Sequence, residues 1–151
     1  MSETAGMAPE VRVVGIVTAS PADAEAIYEI VRAAFGDSYL KFSVYQSRRA
    51  VFHLRAEIRK GRADSGRAYI VARGGGRVLG FYSAARRQHE SFLSYIATST
   101  EEQSRGIGHL LLEDFEADAA NSGCRSVGLD VFRCNERARR WYERQGYVPV
   151  S

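Results

Sequence analysis

The residues with the clearest chemical potential lie in the stretch QSRGIGH, Gln103 to His109. Gly106, Gly108 and Arg105 sit where a helical pattern begins. Ile107, Leu110, Leu111, Phe115 and Ala119 recur at three- and four-residue spacing, which predicts a helix over 107–122 with one face packed on a sheet. The first backbone N–H groups of such a helix have no partners within it, and its dipole favours an anion. Glycine lets the backbone approach a ligand with no Cβ between them, and Arg105 adds a cationic contact. These features suit a pyrophosphate cradle. A tight turn needing glycine for its geometry alone accounts for the same residues equally well. Leu111 stands where a dinucleotide fingerprint would have its third glycine, and no P-loop lysine follows, so neither of those motifs is present.

A second constellation lies in LDVFRCNERARRWYERQGYV. Asn135 is a good helix cap, Glu136 suits a first turn, and Gly146 suits the position just past the end. Asn135, Ala138 and Tyr142 are spaced by three and then four residues, so they share one helix face. A small residue between a polar cap and a phenol leaves room for a ligand chain. The phenol is then a candidate proton donor to a leaving group. The competing reading is an amphipathic helix with Trp141 and Tyr142 as core aromatics.

The elements that must carry these residues can be read from punctuation and periodicity. A first strand is predicted over 11–18, followed by a helix with Ser20 as cap, Pro21 at its first position and Gly36 at its end. A second helix is predicted over 48–60. Strand-like runs on both sides of Gly74-Gly75-Gly76 predict a hairpin, SFLSYIAT another strand, and RSVGLDVF the next. A helix over about 136–145 and a short terminal strand, YVPV, complete the chain. The class expected is α/β (α+β), with helices around one central sheet. Residues 1–10 are expected to form a disordered tail and 11–151 a single domain.

Together the two constellations resemble the GNAT superfamily of N-acetyltransferases. QSRGIG matches that family's Q/R-x-x-G-x-G/A signature. Asn135, Ala138, Tyr142, Gly146 and Tyr147 match its N-x-x-A-x-x-x-Y-x-x-x-G-F/Y pattern about 30 residues later. The match is specific over about 92–148 and architectural before that. The resemblance implies a mostly antiparallel sheet splayed between its fourth and fifth strands, with acetyl-CoA as cosubstrate in the gap. It implies that Gln103, Ser104, Arg105, Gly106, Ile107, Gly108 and His109 hold the pyrophosphate through their backbone. Ile96, Ala97 and Thr98 would pair with the pantetheine arm as an added strand, and Asn135 and Ala138 would flank it. The implied reaction is direct attack by an amine on the thioester, with a backbone N–H near Ile96 to Thr98 polarising the carbonyl. Tyr142 would protonate the departing thiolate.

For the general base, the family often uses a carboxylate near its fourth strand. Glu90 is the carboxylate closest by, at the strand's start, with His89 beside it. Successive strand residues face opposite sides, so at most one of the two is expected to face the cleft. An exposed charged turn is the alternative for both. The acceptor amine, small molecule or protein, is expected to meet the first two helices, where Tyr39, Phe42, Tyr45, Phe52 and His53 cluster. Arg86 and Arg87 are candidates to attract an acidic acceptor. The family's seventh strand has no counterpart before Ser151. The expected result is an unpaired edge beside the fifth strand, covered by YVPV or by a second subunit in a homodimer, unless the chain is shortened.

Composition bounds the alternatives. The 151 residues carry a net charge of +3 and are 45% hydrophobic, which is ordinary for a globular domain. No apolar run approaches the roughly 18–20 residues of a membrane span, and the opening residues lack a secretory signal pattern. No membrane association is expected. Cys124 and Cys134 have neither the number nor the spacing of a disulfide framework or zinc site. They read as reduced residues of a cytoplasmic protein, with no metal expected. The arginines are dispersed, so nucleic-acid binding is not expected. The remaining competitor is a CoA-binding module of the same fold without turnover.

Overall fold

The computed structural model describes residues 13–131 and 134–150. The expected tail over 1–10, the start of the predicted first strand, Phe132 of the predicted fifth strand and Ser151 lie outside them. Five strands form one sheet in the order of the chain. They are β1 (Gly15–Thr18), β2 (Arg67–Gly74), β3 (Arg77–Arg87), β4 (Glu90–Thr98) and β5 (Ser126–Leu129). The first four pair antiparallel, and β5 pairs parallel to β4. Four longer helices are α1 (Ala24–Leu40), α2 (Arg49–Ser65), α3 (Ile107–Asn121) and α4 (Glu136–Arg144).

Strand alternation divides the core between the two faces. Tyr69, Val71, Phe81 and Ala97 point to one side and are buried with Ile27, Val31, Val51 and Leu54 of α1 and α2. Ala72 and Tyr82, next to Val71 and Phe81, point to the other side, against Ile107, Leu111, Leu112 and Phe115 of α3, as does Leu93 beyond an irregularity in β4. Gly80 allows the second contact. A methyl group there would stand 2.9 Å from the Ala97 carbonyl and 3.1 Å from Leu111 Cδ1.

Several element ends differ from expectation. α1 has a non-helical residue at Gly36 (φ 73°) but resumes to Leu40, and α2 does the same at Gly61 before ending at Ser65. After Gly36 the burial of Leu40 outweighs the local stop signal; after Gly61 no residue is buried, and Arg62 is instead tied to Asp118 at 3.0 Å. The expected terminal strand YVPV is not formed. The chain leaves α4 through Gly146 (φ 98°), and the Tyr147 hydroxyl is fixed by a 2.8 Å bond to Glu116. Val148 and Val150 are 78% and 91% exposed, and Pro149 has no N–H to donate. Among the described residues, the outer edge of β5 is therefore unpaired.

Candidate active site

The QSRGIG loop folds as the sequence predicts. Gly106 caps α3 in the left-handed region (φ 86°), and no side chain caps the helix. The first backbone bond of the helix runs from Leu110 N–H to the Gly106 carbonyl, at 3.1 Å. The N–H groups of Ile107, Gly108 and His109 thus face outward from a helix dipole end. Gln103, Ser104 and Arg105 are exposed around them, with Ser104 also at positive φ (66°). His109 turns away from the loop, its Nδ1 3.2 Å from Gln145 Oε1 and its Nε2 3.6 Å from Glu113.

The sheet opens beside this helix. The parallel ladder between β4 and β5 runs from Glu90↔Ser126 to Leu93↔Leu129 and stops. At the next residue β4 has a bulge: Tyr95 pairs with Ser83 and Leu93 with Ala84, which leaves Ser94 without a partner across the ladder. Bulges kink a strand and re-aim its polar groups. From Ser94 through Ile96, Ala97 and Thr98, β4 has no strand on its β5 side among the described residues. Its backbone groups there are available to a ligand, as in strand addition.

A cavity of about 270 Å³ fills this fork. One wall is α4, presenting Asn135, Ala138 and Tyr142. Asn135 Oδ1 accepts from the Ala138 N–H at 3.2 Å, closing the cap. Tyr142 packs edge-on between Trp141 and Tyr147, with centroids 4.9 and 5.6 Å away. Burial pushes its phenol well above the ordinary tyrosine value. Ile96 completes this side, and Phe35, Tyr39 and Tyr95 form the opposite wall. Ser94 is held at its Oγ by the Arg67 guanidinium.

The structure thus brings Ile96, Asn135, Ala138 and Tyr142 into one cavity, with the glycine loop at the end of β4. Glu90 is not part of that lining. It sits three ladder pairs from the fork, its carboxylate over Gly128, where a methyl group would meet Oε2 at 3.0 Å. His89 is exposed in the β3–β4 turn. Of the clustered aromatics, Tyr39 alone lines this cavity. Tyr45 is buried in the core, and Phe42 and Phe52 are exposed. Arg86 is bound to Asp118 at 3.0 Å, and Arg87 stacks on Phe92.

Several lining residues were not singled out by the motifs, among them Asp130, Phe35 and Ser94. Asp130, which is exposed, follows the last ladder residue of β5 and lines the fork together with Ser94. Phe35 belongs to the α1 face that otherwise reads as core. The Ser94 bulge has no sequence mark within a uniformly strand-like run.

The acetyltransferase (GNAT) family model matches residues 24–147. Solved structures share the fold at low identity. A PaiA N-acetyltransferase from Thermoplasma acidophilum, in complex with coenzyme A, superposes with a TM-score of 0.80 at 19% identity, covering 91% of each chain. The aminoglycoside N-acetyltransferase AAC(6')-Iy in complex with CoA gives 0.73 at 15% identity, covering 96% of this chain and 94% of the other. An aminoglycoside acetyltransferase from an uncultured soil metagenomic sample, in complex with sisomicin, gives 0.67 at 12%, covering 91% and 90%. Comparison with curated proteins found no match.

Proposed function

This chain belongs to the acetyltransferase (GNAT) family, whose acetyl donor is acetyl-CoA, and we propose that it is an N-acetyltransferase acting on a primary amine. The observation that carries this reading is the fork. An unpaired stretch of β4 and a half-buried tyrosine share one cavity, and beyond the end of that strand lies an uncapped helix end. In this reading the backbone N–H groups at Gly106 to His109, with Gln103, Ser104 and Arg105 around them, bind the pyrophosphate. Ile96, Ala97 and Thr98 bind the pantetheine arm through their main chain, against Asn135 and Ala138.

The chemistry needs a proton removed from the amine and charge stabilised on the departing sulfur. Asp130 stands where the two strands part and lines the fork together with Ser94 of the bulge. We assign it, rather than Glu90, the proton from the acceptor ammonium. The nitrogen lone pair then forms the C–N bond as the C–S bond breaks. Tyr142 is held protonated across the working range by burial. It donates a hydrogen bond and then its proton to the sulfur, and the second amine proton replaces it through solvent. Each turnover releases one proton overall.

Calorimetric titration with acetyl-CoA, followed by thiol release in the presence of amines, tests the reading. One-to-one binding with amine-dependent thiol release is the expected result. Binding without release to any amine would leave a CoA-binding module. The unpaired outer edge of β5 is consistent with cover by a second copy, which sedimentation would detect.

A further inference from the structure

The acceptor side of the fork has a consistent chemistry. Its wall is aromatic: Phe35 and Tyr95 lock edge-to-face at 5.7 Å, and Tyr45 braces Tyr95 from the core at 4.9 Å. The Tyr39 hydroxyl reaches across to Cys134 Sγ at 3.5 Å, tying α1 to the segment before α4. The remaining lining includes Leu40, Leu93 and Leu129. Asp130 is the one carboxylate among the described lining residues, and no lysine or arginine is among them. Of the polar side chains present, Ser94, Asn135 and Tyr39 already have partners. Ser94 Oγ is bound by Arg67, Asn135 Oδ1 by the Ala138 N–H, and the Tyr39 hydroxyl contacts Cys134.

Such a wall discriminates. Ring faces and one carboxylate attract an ammonium group. A hydroxyl-rich acceptor would have to bury most of its hydroxyls against rings and leucines, which is costly. An anionic group beside the amine would face Asp130 with no cation lining the cavity to offset it. At about 270 Å³, the cavity lies below the usual range for drug-sized ligands.

We propose that the acceptor is a compact arylalkyl-type amine, whose apolar body lies against Phe35, Tyr39 and Tyr95 and whose only charge is the attacking amine. This rests on the acetyl-transfer reading above and specifies its substrate class.

The test measures acetyl-CoA-dependent thiol release with four amines: 2-phenylethylamine, phenylalanine, putrescine and glucosamine. Phenylalanine differs from the first only by a carboxylate. The expected kcat/KM for 2-phenylethylamine exceeds each of the others by about tenfold or more. Tyr39→Leu, which keeps the apolar bulk and removes the ring, should raise KM for 2-phenylethylamine severalfold with acetyl-CoA Kd unchanged. Equal or better turnover of glucosamine, putrescine or phenylalanine overturns the substrate class alone. An unchanged KM in Tyr39→Leu overturns the aromatic wall. Transfer to no amine, with acetyl-CoA still bound, overturns the acetyl-transfer reading and the substrate class with it.

Discussion

Gly108 lies beneath Trp141. A methyl group on Gly108 would stand 3.8 Å from the indole Cζ2 and 4.0 Å from Thr98 Cγ2. The first turn of α3, the end of β4 and helix α4 therefore meet at one point.

Replacing Gly108 with valine adds two further methyls where the first already touches Trp141. The added methyls crowd the indole and the backbone approach of a ligand. Gly106→Val acts differently: open space surrounds it, but its φ of 86° is strained for any side chain. Both variants should bind acetyl-CoA at least about tenfold more weakly, a loss of roughly 1.4 kcal/mol or more. Calorimetry reads the change, and circular dichroism should show a folded chain. Wild-type affinity in both would place the pyrophosphate elsewhere.

Tyr142→Phe removes a hydroxyl and keeps the ring that packs between Trp141 and Tyr147. The expected result is a fall in kcat of about 100-fold, the usual size for a lost general acid, with acetyl-CoA Kd within about threefold of wild type. Burial raises the phenol's pKa, so its proton is lost only above the ordinary tyrosine range, near 10. No alkaline fall in kcat below that pH should come from this residue. A fall in the wild type near pH 8 that vanishes in Tyr142→Phe would contradict the assignment.

Asp130→Asn and Glu90→Gln distinguish the two carboxylates. If Asp130 takes the amine proton, its variant should lose about 100-fold or more in kcat/KM. Recovery at high pH is expected, where the free amine is already deprotonated. Glu90→Gln, three ladder pairs away, should stay within about threefold. The reverse ranking would return the role to Glu90.

What was legible from the sequence follows the type of signal. The glycine loop and the Asn135–Ala138–Tyr142 face are local patterns at helix starts, where spacing and capping determine geometry within a few residues. Asp130 and Glu90 show the limit. In sequence Glu90 lies near the fourth strand and Asp130 far from it. Their distance from the fork depends on the β4–β5 register, set by packing across α3. The Ser94 bulge is equally hidden, because SFLSYIAT contains neither glycine nor proline to mark it. YVPV failed for the opposite reason. Its apolar run is strand-like, but Pro149 has no N–H to donate to a ladder, and the segment leaves the outer edge of β5 unpaired among the described residues.

Gly80 should be the most sensitive small residue of the sheet. A methyl group there meets a backbone carbonyl at 2.9 Å, which cannot yield as a side-chain end would, and Leu111 and Ile107 at 3.1 and 3.2 Å. Gly80→Ala forces α3 away from β3 and should lower stability by about 1–3 kcal/mol, read as a lower urea midpoint. A neutral result would show that α3 shifts without cost.

Asp23 couples the start of α1 to the sheet. Its carboxylate is buried and accepts from Arg73 Nη2 at 2.7 Å and from the Ser20 N–H at 2.8 Å. Burial alone would raise its pKa, but these bonds and the Arg73 charge outweigh that and hold it below the usual aspartate value. The stabilisation is therefore present above the unfolded-state pKa, near 4, and is lost as pH falls through the lower folded value. Asp118 is lowered in the same direction, against its own burial, by Arg62 and Arg86. The Asp23 contribution thus has to be read as a difference between wild type and Asp23→Asn. Arg73 is 37% exposed, so solvent screening limits the difference to about 1 kcal/mol at pH 7. Urea unfolding at pH 7, 5 and 3 should show the gap between the two proteins narrowing only below about pH 4. A gap of constant size across that range would mean that the pair contributes shape rather than charge.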